Sequence, residues 1–295
     1  MTKHDFARTT VWSFYEPVTG SLQYLVADKA SGTAAIIDPV LDYDRRAGAT
    51  ATTSADAILA CVREERLEVA WVLDTHPHAD HFSAAVYCGE TLGAPRGIGE
   101  KVRDVQKLWQ AIYCLPDLPA DGSQWDRLFA AGDRVMIGET QIRVMFSPGH
   151  TMASVSYVTD EQAFVHDTLM MPDAGTSRAD FPGGDAHQLY RSIRDLLALP
   201  DETMVFVGHD YCPGGRKVAC AATVAEHRRD NKHVKDGVSE EAFVALRTER
   251  DRTLPLPELM LAALQVNIRG GRLPDPEPCG RQFLKIPLNY FAPPE

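Results

Sequence analysis

The chain of 295 residues contains no run approaching the ~20 apolar residues that a membrane span requires. Its first residues, MTKHDFARTTVW, lack the continuous apolar core of a secretory signal. A soluble, cytoplasmic protein is expected. Basic residues are scarce beside acidic ones, 30 Lys and Arg against 41 Asp and Glu, for a net charge of −11. That balance excludes nucleic acid or an anionic membrane as the main partner. It leaves room for a small anion held in a local basic pocket. The six cysteines (Cys61, Cys88, Cys114, Cys212, Cys220 and Cys279) include no C-x-x-C pair, which speaks for reduced thiols and against a disulfide framework. There is no low-complexity tract and no resolvable repeat. What is present is an ordinary globular balance, 44% hydrophobic and 24% charged, long enough for one large domain or two modest ones.

Short apolar runs bounded by turn residues open the chain. VWSFY, SLQYLVAD and GTAAIIDPV read as strands, the last ended by Asp38-Pro39. Residues 53–66 begin with Thr53 and Asp56 at capping-box spacing and place Ala57, Ile58 and Cys61 on one face, predicting a helix. VAWVLDTH reads as a buried strand, and HFSAAVYCGETLG as a helix stopped at Gly93. QIRVMF, SVSYV, AFVHD and MVFVGHD are further strands. HQLYRSIRDLLALP puts Leu189, Ile193, Leu196 and Leu197 on one helical face. The tail from about residue 217 reads as mostly helical with a Pro-rich finish.

Within this pattern, residues 75–81 read THPHADH. A lone histidine is most often a solvated or hydrogen-bonded polar residue. Here His76, His78, His81, His150 and His209, with Asp80 and Asp167, all lie just past predicted strands. Strand ends on one sheet edge converge even when they are distant in sequence, and imidazole and carboxylate are the ligands that divalent first-row metals take from rigid backbone. His4, His166, His187, His227 and His233 are read as packing or surface residues. Strand alternation is expected to turn His166 away from Asp167.

THPHADH, SPGHT, HDTL and GHD resemble, in order and spacing, the ligand motifs of the metallo-β-lactamase superfamily. The resemblance implies an α/β fold, an αββα sandwich of two mixed sheets flanked by helices, with metal at one edge. In dinuclear members His76, His78 and His150 would hold one metal and Asp80, His81 and His209 the other, with Asp167 bridging. FYEPVTGSLQYLVAD, AIIDPVLDYD, GTSRADFPGGDAHQLYRSI, GHDYCPGGR and LQVNIRGG further resemble the persulfide dioxygenases of the superfamily, over about residues 12–275. A departure is His166, where many members have glycine.

That second resemblance implies one Fe(II) per chain on His76, His150 and Asp167, with His78, Asp80, His81 and His209 as unmetallated supports. A face of two histidines and one carboxylate leaves about three coordination positions open, enough for a sulfur ligand and O₂ together. The implied reaction oxidises glutathione persulfide, or another small persulfide, to sulfite and free thiol. Tyr211 joins the catalytic set, and Arg178, Tyr211, Arg216, Lys217 and Arg269 are the expected substrate contacts. Residues 1–235 are expected to form the catalytic domain and 236–295 a helical extension packed on it; a homodimer is compatible with the sequence. The rival readings are a dinuclear zinc thioester hydrolase of the glyoxalase II type and an inactive metal-bound scaffold.

Overall fold

A computed structural model describes residues 1–291; the last four residues of the expected extension, 292–295, lie outside them. The first half of the chain runs β1 (Thr2–Asp5), β2 (Thr9–Glu16), β3 (Ser21–Asp28), β4 (Thr33–Ile37), β5 (Val40–Asp44), β6 (Ala49–Ala51), α1 (Thr53–Glu64), β7 (Glu68–Leu73), β8 (Phe82–Ser83), α2 (Ala85–Leu92), β9 (Arg96–Gly99), α3 (Val102–Tyr113) and β10 (Arg127–Phe129). The second half runs β11 (Arg134–Ile137), β12 (Thr140–Phe146), β13 (Val155–Val158), β14 (Gln162–Phe164), α4 (Ala186–Leu196), β15 (Met204–Phe206), β16 (Ala221–Thr223), α5 (Val224–Asp230), α6 (Glu240–Asp251) and α7 (Met260–Asn267).

Two mixed sheets result. One has the order β1-β2-β3-β4-β7-β9-β10, the other β11-β12-β13-β14-β15-β16. β4, β7, β9 and β10 run parallel to their neighbours in that order, as do β14 and β15, and the remaining pairs of the two sheets are antiparallel. A three-stranded patch, β6-β5-β8, sits beside the first sheet.

The period-2 alternation of side chains sorts residues between layers. In β3, Leu22, Tyr24 and Val26 face the second sheet and meet Val135, Ile142, Val144, Tyr157, Phe164 and Phe206. Leu25 and Ala27 face the other way, onto Ile58, Leu59 and Val62 of α1 and Ala85 and Cys88 of α2. The second sheet does the same. Val158, Ala163 and Val205 face outward onto Leu189, Ile193 and Leu196 of α4 and Phe243 of α6. Helix, sheet, sheet, helix is the expected αββα sandwich.

Local detail departs from expectation at the start of the first helix and in the tail. α1 is preceded by Thr52, whose hydroxyl binds the Asp56 carboxylate 2.7 Å away and no backbone N–H, so the Thr53/Asp56 capping box does not form. Gly93 does stop α2 with φ 64°. The tail, expected to be mostly helical, instead opens with β16 as the last strand of the second sheet, carries α5, α6 and α7 as far as Asn267, and is irregular from Arg272 onward. α6 packs on α4, and α7 on β8 and α3. No helix among the described residues is long and apolar enough to cross a membrane.

Candidate metal centre

The ligand-type residues stand on loops that leave the sheets at one edge. The loop after β7 carries His76, His78, Asp80 and His81; that after β12 carries His150. Asp167 and His209 follow β14 and β15. The sheets are joined there by backbone: Leu22 N–H donates to Gly208 O at 2.8 Å and Asp210 N–H to Gly20 O at 3.0 Å. Gly208 leaves room for the candidate ligand Asp167, because a β-carbon there would stand 2.8 Å from Asp167 Oδ1.

Three groups of side chains bring ligand atoms within 4.8 Å of one another: His76, His150 and Asp167; His78, Asp80 and His81; Asp80, Asp167 and His209. In the first, Asp167 Oδ2 lies 3.5 Å from His150 Nε2 and 3.9 Å from His76 Nε2. Its other oxygen, Oδ1, is 2.5 Å from His209 Nδ1, while His209 Nε2 meets Asp80. His78 Nε2 lies instead 3.1 Å from Asp38 Oδ1.

Four of the candidate ligand rings, those of His76, His81, His150 and His209, are held by neighbouring groups. His150 Nδ1–H donates to Arg178 O at 2.9 Å, leaving Nε2 for the centre. Thr75 Oγ1 lies 3.1 Å from His76 Nδ1 and donates to Asp38 Oδ2 at 2.8 Å. Ser21 Oγ bridges His81 Nδ1 and His209 Nε2 at 3.0 and 3.1 Å. Asp74, buried below the loop, takes hydrogen bonds from Ser83 Oγ and Trp125 Nε1, and burial together with Asp38 pushes its pKa up to about 6.

Burial holds His76 well below the usual histidine range and lowers His150 as well, so both are neutral, the form that binds metal. Burial disfavours the charged forms of Asp167 and His209, but their mutual attraction outweighs it. Asp167 is held below and His209 well above its ordinary value. His76 Nε2, His81 Nε2 and His78 Nδ1 are buried without a hydrogen-bond partner. Buried imidazole nitrogens so arranged, with two carboxylates between them, fit a divalent cation.

A cavity of about 790 Å³ opens beside the centre, bordered by Asp80, His81 and Tyr211, by Tyr43, Arg45 and Arg46 of the β5–β6 hairpin, and by Leu259. Of the five expected substrate contacts only Tyr211 lines it; its ring stacks parallel to His209, centroids 5.8 Å apart. The Arg178 guanidinium pairs with Asp180 at 2.7 and 2.9 Å and donates to Pro255 O, so its backbone carbonyl is what reaches the centre. Arg216 is forked between Asp173 and Asp210, and Lys217 is exposed. Arg269 is half-buried and donates to Gln265 O at 2.6 Å.

His166 corrects its expected orientation. β14 ends at Phe164 and His166 takes φ 44°, so alternation no longer applies, and its ring lies 4.9 Å from that of His76. It hydrogen-bonds Ser147 and Thr168 through Nε2. Sequence reasoning also missed Asn267. Its amide nitrogen donates to His78 O and His81 O, both at 2.7 Å, and its oxygen accepts from Ser83 N–H at 2.8 Å, fastening the histidine loop to α7. An asparagine closing the apolar run MLAALQV was the available signal.

Comparison with known proteins gives the same centre a family. A Beta-lactamase hydrolase-like protein of Agrobacterium fabrum is 60% identical over 95% of this chain, which spans 64% of that relative's length. The mitochondrial persulfide dioxygenase ETHE1 of Homo sapiens is 29% identical over 87% of each chain. The crystal structure of ETHE1 from Myxococcus xanthus superposes with a TM-score of 0.71 at 32% identity, covering 89% of this chain and 99% of that one. The sequence pattern of the Metallo-beta-lactamase superfamily matches residues 17–209, the stretch that holds the whole ligand set, and the chain belongs to that superfamily.

Proposed function

We propose that the protein is a mononuclear iron persulfide dioxygenase, acting on glutathione persulfide or another small persulfide. The observation that carries this is the division among the histidines. His76 and His150 close on one oxygen of Asp167, while His78, whose ring lies 4.1 Å from that of His76, turns its Nε2 to Asp38 instead. Iron(II) on that triad would supply open positions for sulfur and O₂ and a path for electrons between them. The balance is RSSH + O₂ + H₂O → RSH + sulfite + 2 H⁺, in which the terminal sulfur gives up four electrons and no outside reductant is consumed.

The protein's own part is positioning. Arg178 O and Thr75 hold the two imidazoles, and His209 clamps Asp167 Oδ1 so that Oδ2 faces them. Tyr211 lies on His209 at the cavity border, placed to meet the thiol carrier; Arg46 on the rim supplies a cation for a carrier's carboxylate, while Arg45 pairs with Glu258. The likeness to the persulfide dioxygenases of man and Myxococcus xanthus supports the reading.

A second reading is favoured by a specific observation. His78, Asp80 and His81, and Asp80, Asp167 and His209, also bring their ligand atoms within 4.8 Å, the layout of a dinuclear zinc thioester hydrolase. The hydrolase-like name of the Agrobacterium relative points the same way. Metal analysis with paired assays decides. One iron per chain with O₂ uptake on glutathione persulfide upholds the dioxygenase; two zincs per chain with thioester hydrolysis and no O₂ uptake overturns it.

A further inference from the structure

Arg247 on α6 is among the largest fully buried side chains and has no place in the chemistry above. Its Nη1 donates to Thr176 O at 3.0 Å and its Nη2 pairs with Asp251, one turn along the same helix. The second oxygen of Asp251 accepts from Ala179 N–H at 3.0 Å. Between these two anchored residues lies Arg178, whose carbonyl accepts a hydrogen bond from His150 Nδ1–H. The strap is fixed from its other side too: His233 Nδ1 accepts from Thr176 N–H at 3.0 Å, and Asn231 Nδ2 donates to Gly175 O at 2.9 Å. Gly175 is required, since its φ is 94° and a β-carbon would stand 2.2 Å from the His233 ring.

We propose that Arg247 and Asp251 are positioning residues for the metal centre. By gripping the 176–179 strap at a carbonyl and an amide, they fix the direction of Arg178 O and hence the ring of His150. A salt bridge is an expensive way to pin a buried loop, because both charges lose their water. Its use suits a carbonyl that must hold one histidine in one tautomer. Metal affinity is then set in part from α6, outside the residues that carry the ligand motifs. The proposal rests on His150 as a metal ligand, and it holds whether the reaction is oxygenation or hydrolysis.

The test is the affinity of the metal-free protein for Co(II) and for Fe(II), measured by chelator competition, with the visible spectrum of the Co(II) form. Arg247→Met should weaken affinity by about 10- to 100-fold, the effect of losing an orienting partner behind a ligand. Arg247→Lys, which can still reach Thr176 O, should recover part of the loss. Asp251→Asn keeps an acceptor for Ala179 N–H and should fall between wild type and Arg247→Met, with altered Co(II) bands. A merely structural role would lower the melting temperature of the metal-free protein and leave the affinity of the folded fraction unchanged. Should Arg247→Met fail to fold, the two conservative variants decide alone. Wild-type affinity and spectrum in folded Arg247→Lys and Asp251→Asn would overturn the proposal.

Discussion

Replacing Asn267 by alanine removes three hydrogen bonds at once from the loop that carries four candidate ligands. Asn267 is 2% exposed, so the carbonyls of His78 and His81 and the amide of Ser83 would be left buried without partners. An unpaired buried backbone group costs about 1–3 kcal/mol. At the lower end of that range, allowing for water entering the vacated volume, the three sum to about 3 kcal/mol. For a chain of this size each kcal/mol moves the melting temperature by roughly 2–4 °C, giving a drop of about 6–12 °C. Asn267→Asp separates the donor and acceptor roles. It keeps the acceptor for Ser83 but aims a carboxylate at two carbonyls, so at pH 7 it should be worse than alanine. Acid should restore part of the loss, because the protonated carboxyl regains one donor. Calorimetric melting of the three proteins at pH 7 and pH 5, with and without added metal, measures this. An Asn267→Ala melting temperature within about 2 °C of wild type, or an aspartate variant matching alanine at pH 7, would refute the account.

The remaining expectations concern the ligands, the cavity and acid stability. His76→Ala, His150→Ala and Asp167→Ala should each lose metal in elemental analysis. His209→Ala should retain most metal while turnover falls ~10–100-fold, and equal metal loss in all four would remove the mononuclear assignment. Arg46→Ala, at the cavity rim, should raise KM for glutathione persulfide by about 10-fold with kcat and iron content unchanged, as losing one charge-assisted contact of about 1.4 kcal/mol requires. An unchanged KM would take the hairpin out of substrate binding. His227 is fully buried, and burial lowers its pKa to about 4, so below pH 6.5 the unfolded chain takes up a proton that the folded one refuses. Stability should therefore fall as pH drops from 6.5 toward 4, by up to about 3 kcal/mol from this residue, and level off below. Urea unfolding of His227→Leu should show a correspondingly flatter acid limb, and an unchanged one would count against it.

The convergence of the candidate ligands was legible because each follows an apolar run whose end is marked by Pro, Gly or Asp, and strand ends collect on an edge whatever the loops between them do. The layers were legible for the same reason: Leu25 and Val26 must part to opposite faces. Asn267 was not, since the loop it serves lies 189 and 186 residues earlier in the chain at His78 and His81, and no local pattern records such a partner. His166 was misplaced because alternation was carried two residues past the end of β14, into backbone of positive φ. Arg178 and Arg216 looked available in sequence, where nothing shows that Asp180, Asp173 and Asp210 sit within reach of their guanidinium groups. The β5–β6 hairpin also escaped notice, its strands short and its outer half exposed.

The order of the strands has one more consequence. Every strand of the first sheet lies before residue 130, and every strand of the second after residue 133, so the chain changes sheet once. His76 belongs to the first part, His150 and Asp167 to the second. A cut in the turn between Phe129 and Arg134 would therefore give two fragments, each holding a whole sheet and neither holding the triad. Mixed together, they would regain tight metal binding only on rejoining face to face, so the metal ion would act as a reporter of fragment complementation.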